Sequence, residues 1–268
     1  MRPADRGERP ISVPKRPGPR LRAILTGSLA LLASPALAQG VLDRLDPVGV
    51  VLALLLLIFS LALHEVAHGW VALQCGDTTA RDLGRLTLNP LPHVDPVMTV
   101  ILPVVFYYSM GFFFGGAKPV PVAFHRLRHP WRDMMFVAIA GPFTNLLLAI
   151  FFFFLLAILL GQGMYERNQR LPEVLEAVVH FNILLAVFNL IPIPPLDGSR
   201  VMAWLLPAGM RNSYLAVERF GLVLIFGLIF LGPQLARYGL PDLNAWVFDG
   251  MRWVLRGIEG LAALVGIR

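Results

Sequence analysis

Between Met134 and Tyr165 the chain runs 32 residues without an Asp, Glu, Lys or Arg. As a helix this run is about 48 Å long, against the ~30 Å hydrocarbon core of a bilayer. Val48 to Leu63 is another 16 residues without a charge, and Val48 to Gly76 stays helix-compatible for 29 residues with Glu65 as its sole formal charge. Ala177 to Leu196 adds 20 more, broken near the end by Pro192, Pro194 and Pro195, and Phe220–Leu231 is a further run. A soluble domain of 268 residues has no core that hides so much apolar surface. The chain is 56% apolar and 15% charged, with mean hydropathy +0.67, against about 25% charged in ordinary soluble domains. Disordered, collagen-like and disulfide-stapled classes are excluded on the same grounds. The expected fold is an all-α polytopic membrane protein of about four to six transmembrane helices, with a small β or re-entrant element on the cytoplasmic side.

Three regions are expected. Residues 1–38 comprise a basic tail, with seven Lys/Arg before residue 23, and an apolar segment ending Ala36-Leu37-Ala38. A cleaved secretory signal and a short uncleaved first span fit this segment equally. Residues 39–215 hold the core with its chemistry, and residues 216–268 hold C-terminal transmembrane or interfacial helices. In the last segment Asp249, Arg252, Arg256 and Glu259 share one helical face, so it lies in the interface or packs on the bundle. Gly84–Asn89 alternates like a short strand. Residues 97–114 are apolar but carry Pro103, Gly111 and the Gly115-Gly116 pair at their end.

The net charge is +6 and the pI near 10.1. The basic residues sit in gaps between apolar runs, so they face anionic head groups rather than nucleic acid. Cys75 is the only cysteine, which leaves His, Asp and Glu as metal ligands.

His64-Glu65-Val66-Ala67-His68 is an H-E-x-x-H string. Residues four apart share a helix face, so both imidazoles can reach one ion, and Glu65 lies about 100° away, where it can touch a metal-bound water without ligating the metal; the alternative is that the histidines hydrogen-bond neighbouring helices and Glu65 is protonated. A charge in mid-span costs about 2.5–3.5 kcal/mol, whereas structural zinc sites in peptides release about 10–16 kcal/mol. A catalytic zinc needs a third protein ligand. Asp197 is the best-placed candidate, because the prolines before it unwind the chain and let a carboxylate turn inward. The same residue also fits a plain exit of that run into water.

His64–His68, Gly141-Pro142-Phe143-Thr144-Asn145 and Leu196-Asp197-Gly198 resemble the three signature motifs of the site-2 protease family of intramembrane zinc metalloproteases. The Asn189–Pro192, Gly84–Pro96 and Gly116–Val122 strings are similar to a compact bacterial subgroup of it. The resemblance covers roughly residues 48–200. It implies one Zn²⁺ held by His64, His68 and Asp197, Glu65 as catalytic base, and Asn145 and Asn189 as polar groups near the scissile bond. It implies a membrane-spanning protein as substrate, such as a single-span regulator or a signal-peptide remnant. Ala123 stands where that subgroup leads one to expect Asn.

Depth gives an independent check. His64 lies about 24 Å along its helix from Val48, and Asp197 lies at the far end of its own run. To meet, the two helices must cross in the same direction with 134–165 returning between them, so 97–114 is expected to be re-entrant. The basic tail and the four Lys/Arg of 118–132 put the site in the cytoplasmic half of a cell-membrane protein. In Pro119-Val120-Pro121-Val122 the prolines lack N–H groups, so Val120 and Val122 keep donors on one edge where an unwound substrate strand can pair. A plain Pro-rich connector fits that string equally. A transporter or proton relay built on the same ionisable residues is the competing class. The missing internal repeat counts against it.

Overall fold

The computed structural model describes residues 45–102, 105, 115–163, 168–239 and 243–265. The tail and apolar segment of 1–38 lie outside these residues, as does most of 103–114.

Helix α1, Pro47–Gln74, starts where Asp46 caps it. The Asp46 carboxylate accepts from the Gly49 amide at 2.7 Å, and Pro47 takes the first turn, where no N–H is needed. A one-turn helix α2, Thr79–Asp82, follows. Helix α3, Pro130–Gly161, again opens on proline. Helix α4, Arg170–Asn189, stops just short of the proline-rich stretch. Short helices α5 (Gly198–Leu205) and α6 (Ala208–Leu215) precede α7 (Gly221–Ala236) and α8 (Leu243–Leu264). Helices α1, α3 and α4 are long and apolar enough to cross a membrane.

Side-chain pairs set the directions of the three. Arg170 at the start of α4 pairs with Asp46 at the start of α1, and the Asn182 amide donates to Ser60 Oγ at 3.1 Å midway along both. The two helices therefore run parallel, as the depth argument requires. His64 meets Asn145 and His68 meets Val137, so α3 runs antiparallel to α1. The apolar core joins α3, α4 and α8 through Phe152, Phe153, Val178, Ile183, Met251 and Leu255. The last helix thus packs on the bundle, while its Trp246 and Trp253 stay exposed. Leu55, Phe59 and Phe151 are also exposed, and on a membrane span that surface meets lipid.

The strand expected over 84–89 does not form. Among the described residues no strand is present, and this segment is irregular. Its alternation has another cause: Leu86 packs toward Gly69 of α1, while Arg85 turns to the Lys118 and Pro119 carbonyls. Residues Pro96–Ile101 form a π-helical turn capped by Asp95.

The Ser60–Asn182 bond joins two apolar helices, so Asn182→Leu should destabilise the fold by about 0.6–1.7 kcal/mol. Unfolding in mixed micelles checks this, and an unchanged midpoint would count against it.

Candidate metal centre

His64 and His68 lie one turn apart on α1. The facing side of α3 answers with three positions spaced by four: Val137, Gly141 and Asn145. The His64 Nδ1–H donates to the Asn145 side-chain oxygen at 2.9 Å, and the His68 Nδ1–H to the Val137 carbonyl at 2.6 Å. Gly141 sits between them. A Cβ there would stand 2.4 Å from His68 Nε2 and 2.6 Å from His64 Nε2, so a bare backbone is what lets the helices close on the imidazoles.

In a neutral imidazole whose Nδ1 donates, Nε2 is left as a lone-pair acceptor, the form a metal takes. The two Nε2 atoms are 3.0 Å apart, and Asp197 Oδ2 lies 3.4 Å from each. That oxygen is buried and has no hydrogen-bond partner among the described residues. Three converging lone-pair atoms repel unless a cation lies among them. Zinc bonds of about 2.0–2.1 Å in a tetrahedron set ligand atoms about 3.3 Å apart, close to these edges. Two imidazoles and one carboxylate are also a known catalytic zinc donor set. The residues present fit a zinc ion.

Asp197 reaches the imidazoles because the chain doubles back after α4. Pro192, Pro194 and Pro195 cannot continue a helix, and the Tyr214 hydroxyl holds the Pro192 carbonyl at 2.6 Å. The turn is tight enough that a Cβ on Gly198 would fall 2.2 Å from the Leu190 carbonyl oxygen. Glu65, next to His64, is half-buried, and its Oε2 accepts from the Val120 amide at 2.7 Å.

Residues 166–231 match Peptidase family M50. A Bacillus subtilis protein named "Putative zinc metalloprotease YwhC" is 39% identical over 193 residues, covering 70% of this chain and 84% of that protein. The chain belongs to peptidase family M50. Two mycobacterial members named in the same way, as Rip2, are similar over greater lengths. The Mycobacterium tuberculosis protein is 30% identical over 213 residues, 77% of this chain and 74% of its own. The Mycolicibacterium smegmatis protein is 28% identical over 250 residues, 91% and 89% of the two. No solved structure matches. An M50 peptidase is a metalloprotease of the site-2 type, in agreement with the resemblance carried by the three motifs.

The other expected positions of this M50 peptidase divide. Asn145 is fully buried against His64. Asn189 ends α4, its amide donating to the Leu185 carbonyl at 3.0 Å. The Val120 donor, expected to face a substrate strand, is engaged by Glu65, while Val122 follows two residues on in the same irregular segment.

Sequence reasoning did not single out Val137 or Asp77, and it took Gly141 only as the first residue of the Gly141–Asn145 motif, with no role of its own. Val137 acts through its carbonyl, which every residue possesses. Gly141 was readable in principle, since it lies four residues before the one buried Asn of α3. Asp77 is a fully buried carboxylate just beyond α1. Burial works against its charge, but the Thr79 hydroxyl and amide, the Ala123 amide and nearby Arg126 outweigh that and hold its carboxyl below the usual range.

Proposed function

We propose that this M50 peptidase cuts membrane-spanning proteins within their transmembrane segments, with His64, His68 and Asp197 holding zinc and Glu65 moving the proton. The observation that carries the reading is the Asp197 oxygen equidistant from two imidazole nitrogens, buried and without a donor. Zinc held there supplies Lewis acidity, polarising a peptide carbonyl and making a neighbouring water acidic near neutral pH.

The residues supply the rest. Glu65 accepts the proton of water as its oxygen attacks the carbonyl carbon. It delivers that proton to the amide nitrogen as the C–N bond breaks. Val137 and Asn145 hold the imidazoles in the tautomer that turns Nε2 inward. The Asn145 side-chain NH₂ is buried without an acceptor among the described residues, which supports it as a donor to the developing oxyanion. The Asn189 position, at the mouth of the loop that carries Asp197, suits contact with the unwound substrate. Val122 keeps an edge donor for strand pairing.

The Arg128 amide donates to the Cys75 carbonyl at the end of α1. The basic stretch 118–132 therefore shares the end of the bundle that carries the site, which supports a multi-pass cell-membrane protein with its site in the cytoplasmic half.

The test joins metal content to cleavage. Purified wild type should carry one zinc per chain, and His64→Ala and Asp197→Ala should each weaken zinc by more than about 100-fold, beyond what loss of an outer hydrogen bond costs. A single-span protein reconstituted in the same vesicles should be cut in its apolar segment, and a chelator should stop it. Cleavage by Asp197→Ala at the wild-type rate would overturn the reading.

A further inference from the structure

Asp77 neither lies among the lone-pair atoms of the metal centre nor touches Glu65, yet its side chain is buried completely. One carboxylate oxygen accepts from the Thr79 amide at 3.0 Å, inside the turn that follows α1. The other accepts from the Ala123 amide at 2.6 Å, 46 residues further along. Eight residues after Asp77, the Arg85 guanidinium donates to the Lys118 carbonyl at 2.8 Å and the Pro119 carbonyl at 3.4 Å. The segment Pro119-Val120-Pro121-Val122 is thus tied at both ends to residues 77–85.

The strap between these ties leads to the base. Pro119 and Pro121 have no N–H, so Val120 and Val122 carry its donors. The Val120 amide goes to Glu65 Oε2 at 2.7 Å. The Val120 side chain presses on α1 one turn beyond Glu65: a Cβ on Gly69 would lie 2.9 Å from Val120 Cγ1 and 2.6 Å from Leu86 Cδ2. The height of the strap over α1 is therefore set by contacts that do not include the metal centre.

We infer that Asp77 and Arg85 are positioning residues of the reaction, a two-point clamp that holds the Val120 amide where it orients the Glu65 carboxylate toward the reacting water. The inference rests on Glu65 as the base. A charged acceptor suits the task, because bonds to an ionised carboxylate are shorter and stronger than neutral ones. A reacting group displaced by about 1 Å costs on the order of 100-fold in rate.

The experiment uses the full chain in vesicles with a single-span substrate. The variants are Asp77→Ala, Arg85→Ala, Val120→Pro, which removes the donor to Glu65, and each clamp variant combined with Val120→Pro. All should keep one zinc per chain. Asp77→Ala and Val120→Pro should lower kcat and kcat/KM together by about 100-fold, with KM held, and Arg85→Ala by about 10-fold. Adding either clamp variant to Val120→Pro should lower the rate no further, because both act through one bond. A merely structural role would multiply the losses. Multiplying losses, wild-type rates in both clamp variants, or zinc loss in Arg85→Ala would overturn the inference. If Asp77→Ala does not fold, Arg85→Ala and its double variant decide by the same criteria. A silent Val120→Pro beside an inactive Glu65→Gln would sink the clamp and leave the base in place.

Discussion

Glu65→Gln should lower kcat by about 10²–10⁴-fold, the range that a positioned acid–base group contributes, and leave zinc content unchanged. The substitution is unusually clean here. Glu65 Oε2 accepts from the Val120 amide, and a glutamine side-chain oxygen accepts from the same amide, so the strap over α1 keeps its anchor. The imidazoles and Asp197 are untouched. What is lost is the ability to take a proton from water and return it to the leaving nitrogen. Binding of an uncut substrate should therefore persist while turnover falls. Zinc per chain, substrate capture and cleavage rate on the same preparation check this. Normal cleavage by a zinc-loaded Glu65→Gln protein would remove Glu65 as the base, and zinc loss would make it part of the metal's own shell.

The route from chain to site is uneven in what it displays. His64 and His68 stand out because they break an apolar run at the spacing of one helical turn. Asp197 stands out because three prolines stop a second run just before it. Depth along each helix then requires parallel crossings, and the Asp46–Arg170 and Ser60–Asn182 pairs show them. The resemblance also drew attention to Asn145, which lies on His64. The remainder is hidden for a physical reason: the parts that aim the site are backbone groups and absences. The carbonyl of Val137 carries no residue-type signal, and although Val120 and Gly141 lie in strings that stand out, nothing in those strings says that the amide of one meets Glu65 or that the missing Cβ of the other makes room for two imidazoles. The 84–89 segment misleads for a related reason. Alternation reports that successive side chains face opposite surroundings, and an unpaired segment with Leu86 toward Gly69 of α1 and Arg85 toward the Lys118 and Pro119 carbonyls satisfies that as well as a paired strand does.

Gly141→Ala should weaken zinc binding by about 10–100-fold, the cost typical of disturbing groups that orient metal ligands, and reduce cleavage accordingly, although alanine is the better helix former by about 0.8–1.0 kcal/mol. The added methyl would sit 2.4 Å from His68 Nε2 and 2.6 Å from His64 Cε1 and Nε2, well inside contact distance. The imidazoles cannot swing aside without cost. Their Nδ1 atoms are tied to Val137 and Asn145, which lie one turn to either side of residue 141 on the same helix. Moving α3 away instead would stretch both bonds at once and carry Asn145 from its buried place. Either response spoils the convergence of two imidazole nitrogens on the Asp197 oxygen. Helix content in micelles should hold, because alanine favours the helix, while zinc affinity and cleavage fall. A Gly141→Ala protein that holds zinc as tightly as wild type would mean that α1 and α3 are not locked together at the imidazoles, and the tautomer argument for the metal centre would go with it.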